Sequence, residues 1–304
     1  MAEANDWIVV PATSANLGCG FDCAALAVSL HLRLRGRLGA KPGFRASYRG
    51  PHAERIPLDD ANLVARAACL AGEAAGAKIR GGEIEIESEI PVAAGLGSSA
   101  AAIVGGILLA ARHLGEPPEA EAVVELATRI EGHPDNVAAA YHGGLVVAAQ
   151  EAGGRVRVAR AALPEDLALV AVVPDFELPT ERARSVLPPS YSRADAVHNL
   201  QWFALLVATC FSGKFQLDPE LFADRLHQPY RAPLVPGLEA CFAFRHPGLL
   251  GIFLSGAGSS VLAIARGSAA EIGERLASEF TRHGIRAQVF ALKPENRGAG
   301  DFFA

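Results

Sequence analysis

The sequence predicts an α+β protein, and three observations support this fold class. Residues 83–87 read E-I-E-I-E, the polar/apolar alternation of a half-buried strand. Residues 98–114 are rich in Ala, Leu and Ile and are long enough for about four helical turns. The chain has 304 residues, half of them apolar, so it can form one large domain or two medium ones. Because the pattern changes over residues 161–165, we place a domain boundary near residue 160.

Further strands and helices are predicted on both sides of this boundary. Short apolar or alternating runs indicate the strands, and helical periodicity indicates the helices. In the first half we expect strands at 7–11, 24–38, 44–48 and 145–149, and helices at 62–75, at 117–131 and after Pro134. In the second half we expect strands at 167–174, 249–255, 261–265 and 285–291, helices at 195–211 and 268–283, and a helix that ends at 227–231.

Composition and charge argue against several classes of function. A formal net charge of −5 disfavours non-specific nucleic-acid binding, which needs a basic face. The longest apolar run, residues 100–111, is shorter than the roughly 20 residues that a membrane span requires. The N-terminus lacks a signal-peptide pattern, and five scattered cysteines suit free thiols in a reducing compartment. We therefore expect a cytoplasmic protein that binds neither nucleic acid nor membranes.

Residues 91–102, P-V-A-A-G-L-G-S-S-A-A-A, join the strand at 83–87 to the helix that follows. A glycine loop at a helix start presents unpaired N–H groups and the positive end of the helix dipole to an anion. Gly95 and Gly97 remove Cβ atoms that would keep a phosphate away from the backbone. A serine here either caps the helix or turns outward as a ligand of a phosphate-bound metal. The loop matches neither the Walker pattern nor the dinucleotide fingerprint, so it predicts binding by backbone, dipole and metal.

Three other polar segments contain candidate site residues. Residues 12–22 form a loop in which Asn16 and Asp22 are either turn formers or site residues. Residues 131–138, E-G-H-P-D-N-V-A, place a proline at the first position of a short helix. Thr180 and Arg184 are four residues apart, so on a helix they share one face.

Together these motifs resemble, in chain order, those of the homoserine kinases, a family related to galactokinase, mevalonate kinase and phosphomevalonate kinase. Residues 15–22 are similar to the family pattern ANLGPGFD, with Cys19 in place of the proline. The mevalonate-type kinases have an aspartate where this chain has Asn136, which favours the homoserine kinases. The turn at 256–260, G-A-G-S-S, resembles one that the family packs behind the nucleotide loop, with Ser259 replacing a proline. The resemblance covers nearly the whole chain.

The resemblance implies two domains that meet at a cleft. Residues 1–160 would form an N-terminal mixed β/α domain that carries the phosphate loop and binds nucleotide. Residues 161–304 would form a C-terminal ferredoxin-like domain that completes the substrate site. The implied reaction is the ATP-dependent and Mg²⁺-dependent phosphorylation of L-homoserine to O-phospho-L-homoserine, a step towards threonine, by a homodimer.

The resemblance also implies a role for each candidate residue. Asp22 would neutralise the ammonium of homoserine, and the planar donor forks of Arg184 and Arg231 would bind its carboxylate. Asn16, His133 and Asn136 would aim the hydroxyl, and Thr180 would touch the γ-phosphate. The residues expected at ATP are Pro91, Val92, Ala93, Ala94, Gly95, Leu96, Gly97, Ser98, Ser99, Ala100, Ala101 and Asn62. For Asn62, capping of the helix that follows is an equally good interpretation.

The expected metal ligands are Ser99, or Ser98, together with one acidic residue. Periodicity alone makes Glu125 a solvated residue that pairs with Arg129 at i, i+4. In the family the acid eight residues before the histidine of the H-P-D-N motif is a magnesium ligand. That residue is Glu125 here, and the resemblance therefore favours it over Glu131.

The chemistry implied by these residues depends on positioning more than on a strong base. Phosphoryl transfer passes through a loose transition state, so orientation and charge stabilisation can supply most of the catalysis. Asn136 cannot act as a general base at neutral pH, whereas His133 can in principle. We expect that no side chain fully deprotonates the alcohol before transfer. The alternatives are a kinase for another small alcohol and a non-catalytic nucleotide-binding protein on the same scaffold.

Overall fold

Two sheets with helices packed against them form the computed structural model of the chain, which describes residues 6–115 and 117–303. The strands of the first sheet are β1 (Ile8–Ala15), β2 (Ala24–Gly39), β3 (Gly43–Arg49), β4 (Gly81–Ser88), β5 (Leu145–Gln150) and β6 (Val156–Ala161). The helices of this half are α1 (Leu63–Ala74), α2 (Ser98–Leu114), α3 (Ala120–Glu131) and α4 (Asp135–His142).

The first sheet is mixed, as predicted. Its order is β3-β4-β2-β5-β6, and β1 pairs with β2. Only β3 and β4 run parallel among the described strands of this sheet. The alternation in β4 buries Ile84 and Ile86, while Glu85 on the other face pairs with Arg35 of β2 at 2.7 Å. The sheet therefore presents one apolar face to α2 and α4, with α1 packed on α2, and one charged face to solvent.

The second sheet has strands β7 (Ala168–Pro174), β8 (Leu249–Leu254), β9 (Val261–Ala265) and β10 (Ala287–Leu292). Its order, β10-β7-β9-β8, is antiparallel throughout and is the order of a ferredoxin-like sheet. The helices of this half are α5 (Thr180–Ser185), α6 (Arg193–Phe211), α7 (Gln228–Arg231), α8 (Leu238–Ala243), α9 (Ala269–Thr281) and α10 (Ala299–Phe303). None of the described helices is long and apolar enough to cross a bilayer.

One hydrophobic core spans the two halves, a second lies within the second half, and the end of the chain returns to the first half. Phe253 and Leu262 of the second sheet belong to the same buried cluster as Ile8 of β1. After β10, the amide of Glu295 donates to the carbonyl of Ala27 at 3.0 Å, and α10 packs against α4 and β1. The division of the chain at residue 160 stays a prediction.

Several elements differ from the predicted ones: β1 continues to Ala15, into the predicted loop at residues 12–22, and helices α8 and α10 were not predicted. Strand β6 was not predicted, because Val156 is its one buried residue and its sequence shows no clean alternation. Residues 228–231 begin a short helix instead of ending one. The reason is Asp224, whose carboxylate accepts hydrogen bonds from the amides of His227 and Gln228 and so fixes a helix start there.

Candidate active site

A cleft of about 330 Å³ lies where loops of the two halves meet. Segments far apart in sequence form its walls: the β1–β2 loop, the loop before α2, the α3–α4 turn, α5, α7 and the β8–β9 turn. The predicted residues that line it are Asn16, Asp22, Ala93, Gly95, Gly97, Ser98, Ser99, His133, Asn136, Thr180, Arg184 and Arg231. Most of the predicted site residues therefore lie around one cavity.

The start of helix α2 forms one wall of the cleft. Ser98 is the first helical residue and not the cap, because the preceding Gly97 (φ +71°) occupies the capping position. Gly97 has no side chain that could satisfy the free N–H groups of the first turn. Ser98 and Ser99 line the cleft at this point. The positive end of α2 is therefore available to an anion in the cleft.

The two glycines of this loop are required by contacts within the protein. A Cβ on Gly95 would lie 2.2 Å from the carbonyl oxygen of Ser255, and one on Gly97 would lie 2.0 Å from Oγ1 of Thr13. Ser255 also donates from Oγ to the carbonyl of Gly95 at 2.6 Å and shares a hydrogen bond with Ser14 at 2.7 Å. The β8–β9 turn thus packs directly behind the loop, as the family resemblance implied, and the glycines permit this close approach.

Several of the residues predicted to contact ATP are buried in the core beside the cleft. The side chains of Pro91, Ala94, Leu96, Ala100 and Ala101 are buried. Because these side chains point into the core, they shape the loop and do not face a ligand in the cleft.

A second cavity of about 360 Å³ adjoins the cleft and shares Ser98, Ser99 and Thr180 with it. Val92 and Asn62 line this cavity, together with several aliphatic side chains. Asn62 caps α1: its Oδ1 accepts from the amide of Val64 at 3.0 Å, and its Nδ2 donates to a carbonyl at 2.7 Å. The capping interpretation of Asn62 is therefore confirmed, and its contact with ATP stays a prediction that its place in the cavity wall allows.

The acidic residue beside Ser99 is Glu131 and not Glu125. Ser99 donates from Oγ to Oε1 of Glu131 at 2.6 Å, and Glu131 lines the cleft. Glu125 lines a separate groove with Leu126 and Arg129. Six residues on a helix separate two side chains by about 9 Å along the axis and about 120° around it. The structure therefore places Glu131, and not Glu125, beside Ser99, and the identity of the metal ligands stays a prediction.

The donor set of Ser99 and Glu131 fits a magnesium ion. Mg²⁺ prefers oxygen ligands and is usually held by one or two carboxylates together with phosphate oxygens and water. Within residues 6–115 and 117–303, no group of three or more His, Cys, Asp or Glu side chains converges on one point. A magnesium ion at Ser99 and Glu131 would therefore take its remaining ligands from a nucleotide and from water.

His133 and Asn136 are both fixed by buried partners that were not predicted. Asp135, 1% exposed, bonds Nδ1 of His133 at 2.7 Å and accepts from the amide of Asn136 at 2.7 Å. Thr13 donates to Oδ1 of Asn136 at 2.7 Å. Burial alone would lower the pKa of His133, but the hydrogen bond to Asp135 and nearby carboxylates, among them Glu131, raise it overall. Thr13 and Asp135 were not predicted as site residues, although they lie within two of the polar segments identified in the sequence, residues 12–22 and 131–138.

Asp22 and Arg184 bind each other in this state. The two carboxylate oxygens of Asp22 accept hydrogen bonds from the two terminal nitrogens of Arg184 at 2.8 and 2.9 Å. This bidentate bonding to Asp22 raises the pKa of Arg184. Their predicted roles, one for an ammonium and one for a carboxylate, would therefore require the pair to separate when a ligand enters.

Arg231 is buried, and the protein already uses three of its donors. Its Nε donates to the carbonyl of Ala183 at 3.1 Å, and its Nη1 contacts the carbonyl of Gly256 and Nδ1 of His227, both at 3.1 Å. Nη2 has no hydrogen-bond partner among the described residues and is the nitrogen left for a ligand. Arg231 can thus offer a ligand the two N–H groups of one nitrogen, Nη2, and not the planar fork of two nitrogens that was expected. Burial and, to a smaller extent, nearby Arg184 lower the pKa of Arg231 to about 10.

His227, also missed by sequence reasoning, orients this arginine. Burial lowers the pKa of His227 to about 4, so the imidazole is neutral at pH 7. Its Nε2 donates to the carbonyl of Gly18 at 2.8 Å, which leaves Nδ1 to accept from Arg231. The sequence placed His227 four residues before Arg231, and helical spacing was the signal that could have paired them.

Asn16 and Thr180 also line the cleft, the first as a buried residue and the second as an exposed one. Asn16 donates from Nδ2 to the carbonyl of Gly256 at 2.7 Å and accepts from the amide of Asp22 at 3.0 Å, so it ties two loops together. Thr180 is exposed at the first position of α5 and lines both the cleft and the second cavity. It therefore stands where the two cavities meet.

Comparison with known proteins identifies relatives of the whole chain. Residues 62–144 match the family model described as GHMP kinases N terminal domain, and residues 206–282 match the one described as GHMP kinases C terminal. A homoserine kinase of Solibacter usitatus is 40% identical over 98% of this chain and 98% of its own length. One of Deinococcus radiodurans is 44% identical over 92% of this chain and 91% of its own.

Solved structures give the same result. The crystal structure of a homoserine kinase from Cytophaga hutchinsonii superposes with a TM-score of 0.82 at 29% identity, covering 98% of each chain. A Lactococcus lactis galactokinase complexed with galactose shares the fold, with a TM-score of 0.66 at 14% identity over 98% of this chain and 96% of its own. Because the sequence matches are full-length and far above 30% identity, the chain belongs to the homoserine kinase family of the GHMP kinases.

Proposed function

We propose that the protein transfers the γ-phosphoryl group of ATP to the side-chain hydroxyl of L-homoserine, giving O-phospho-L-homoserine and ADP. One observation carries this proposal: a single cleft contains both the uncapped start of α2 and the charged set Asp22, Arg184 and Arg231. The first feature suits phosphates, and the second suits the paired charges of an amino acid. The relatives named homoserine kinases support the same substrate.

The nucleotide would lie across the two adjoining cavities. Its phosphates would approach the N–H groups at the start of α2 and the hydroxyls of Ser98 and Ser99. Its base would enter the second cavity, which Val92 and Asn62 help to line. Thr180 borders both cavities, a position that supports its proposed contact with the γ-phosphate.

Binding of homoserine would replace the ion pair that Asp22 and Arg184 form with each other. Homoserine carries both an ammonium and a carboxylate, so it can satisfy Asp22 and Arg184 separately after their ion pair opens. Nη2 of Arg231 would supply the second cationic contact to the carboxylate. A substrate with only one of these charges would leave a partly buried partner unpaired, which disfavours it.

The residues of the cleft support transfer by orientation and charge stabilisation. Ser99 and Glu131 would hold Mg²⁺, which when bound neutralises charge on the β- and γ-phosphate oxygens. Asn136 and His133 would aim the hydroxyl along the line of transfer. The raised pKa of His133 favours its protonated form, which cannot accept the proton of the hydroxyl, and this supports the expectation of direct in-line transfer without a strong base.

The decisive experiment is a coupled assay of ADP release with L-homoserine, L-serine, mevalonate and galactose. The proposal expects homoserine to give the highest kcat/KM of the four. A preference for mevalonate or galactose would indicate a kinase for another small alcohol. No acceptor-dependent release with any of them would favour a non-catalytic nucleotide-binding protein.

The proposal includes a homodimer in the cytoplasm. Helix α6 supports the homodimer, because it exposes the large apolar side chains Val197, Leu200 and Leu205. Sedimentation at several protein concentrations tests this assembly.

A further inference from the structure

Thr13 of β1 makes a buried contact with Asn136. The residue is fully buried, and its hydroxyl donates to Oδ1 of Asn136 at 2.7 Å across a separation of 123 residues. The backbone amide of Asn136 is held as well, by the carboxylate of Asp135. Asn136 is therefore fixed both at its backbone amide and at its side-chain oxygen.

This contact decides which end of the Asn136 amide faces the cleft. With Oδ1 directed at Thr13, the Nδ2 group makes no hydrogen bond to the described residues and lies at the cleft wall. An Nδ2 group has two donors and no acceptor. In this orientation Asn136 donates to an oxygen of the substrate or of the transferring phosphoryl group, and it does not accept the proton of the hydroxyl.

Thr13 also touches the loop at the start of α2. Its amide donates to the carbonyl of Leu96 at 3.2 Å, and its hydroxyl occupies the space that a Cβ on Gly97 would fill. One residue thus contacts both the phosphate-binding loop and the amide that faces the acceptor. Thr13 therefore links the loop that would bind the phosphates to the amide that would face the acceptor hydroxyl.

We propose that Thr13 is a positioning residue for phosphoryl transfer, which acts by holding the amide of Asn136 with its N–H groups towards the cleft. The inference rests on the proposed function for its substrate. It does not depend on the metal ligands or on the charged set that binds the amino acid.

The test compares three variants of buried threonines in the kinase assay. Thr13→Val removes the donor and is expected to lower kcat about tenfold or more, with KM for ATP unchanged within about twofold. Thr13→Ser keeps the hydroxyl and is expected to restore most of the rate. The matched control is Thr128→Val: Thr128 is buried in α3, and its hydroxyl has no partner among the described residues. This control should leave kcat unchanged.

A double-mutant cycle with Asn136→Ala separates positioning from a general effect on packing. If Thr13 acts through Asn136, adding Thr13→Val to Asn136→Ala causes no further loss of kcat. Independent, multiplying losses would overturn the proposal, as would a Thr13→Val enzyme with wild-type kcat. If the wild type prefers another alcohol, the proposed substrate is wrong, and the same cycle measured with that alcohol still decides the role of Thr13.

Discussion

At the scale of single residues, the cleft contains several carboxylates that have different partners. Glu131 accepts from Ser99, Asp135 holds His133 and Asn136, and Asp22 binds Arg184. The partner of each carboxylate determines which ligand it can serve. A carboxylate beside a serine hydroxyl at a helix start can share a metal ion with that hydroxyl.

The pair of Ser99 and Glu131 predicts which acidic residue the reaction requires. Glu131→Gln is expected to lower kcat/KM for Mg·ATP by about a hundredfold, because it removes a charged ligand of a metal that stabilises the transferring phosphate. Glu125→Gln is the matched control on the same helix and is expected to stay within about twofold of wild type. Steady-state kinetics with varied Mg²⁺ measure both. A larger loss of kcat/KM in Glu125→Gln than in Glu131→Gln would identify Glu125 as the metal ligand.

The raised pKa of His133 predicts a pH-dependent contribution to stability. Because folding favours the protonated imidazole, this contribution is full below the unfolded-state pKa and is lost as the pH rises through the folded-state pKa. The difference in unfolding free energy between wild type and His133→Gln is expected to be larger at about pH 5.5 than at about pH 9. Urea titrations at both pH values measure it, and a difference that grows with pH contradicts the assignment.

Sequence reasoning identified most residues of the site but not the bonds among them. Asp22 and Arg184 were correctly placed in one cleft, yet nothing in their separation of 162 residues indicates that they bind each other. The periodicity of α3 shows which face is apolar, and it cannot show which polar position faces the cleft. Glu125 was therefore favoured over Glu131 on the resemblance alone, whereas the structure places Glu131 beside Ser99.

At the scale of elements, the loop before α2 predicts a sharp difference between two glycines with the same backbone conformation. Gly95 and Gly115 both have φ of +78°, but a Cβ on Gly95 meets a backbone oxygen at 2.2 Å, whereas one on Gly115 meets no described residue within 4 Å. Gly115→Ala is expected to cost about 1 kcal/mol of unfolding free energy from the left-handed backbone alone.

Gly95→Ala adds a collision to the same backbone strain and is expected to cost about 3 kcal/mol or more. It should also weaken ATP binding, because the loop must move away from the β8–β9 turn. Chemical denaturation and nucleotide titration of the two variants measure these effects. Equal losses of stability would show that the contact with Ser255 is unimportant.

Elements with a strong pattern were predicted closely, and those fixed by tertiary contacts were not. Helix α2 begins and ends at the predicted residues because its apolar run is bounded by Gly97 and Gly115. Strand β6 is stabilised by pairing with β5, so its own sequence contains little of the signal. Helix α7 begins where the carboxylate of Asp224 accepts from the amides of His227 and Gln228, a detail that depends on one side chain.

At the scale of the whole molecule, the topology could not be predicted from strand spacing. The order β10-β7-β9-β8 needs strands that are not neighbours in sequence to pair, and only the family resemblance supplied that order. Neither the spacing of the strands nor the family resemblance predicted the shared core or the return of residues 293–303 to the first half. They join the two sheets that together form the cleft.

This shared core predicts that both halves unfold in one transition. The chain has two tryptophans, Trp7 beside Arg35 in the first half and Trp202 on α6 in the second, so each half contains one fluorescent reporter. Single-tryptophan variants, Trp7→Phe and Trp202→Phe, are expected to give the same denaturant midpoint and the same m-value. Far-UV circular dichroism of each variant provides the control for any change in stability caused by the substitution. If the two reporters give separate midpoints, the halves unfold independently, and the packing of Phe253 and Leu262 with β1 does not couple them.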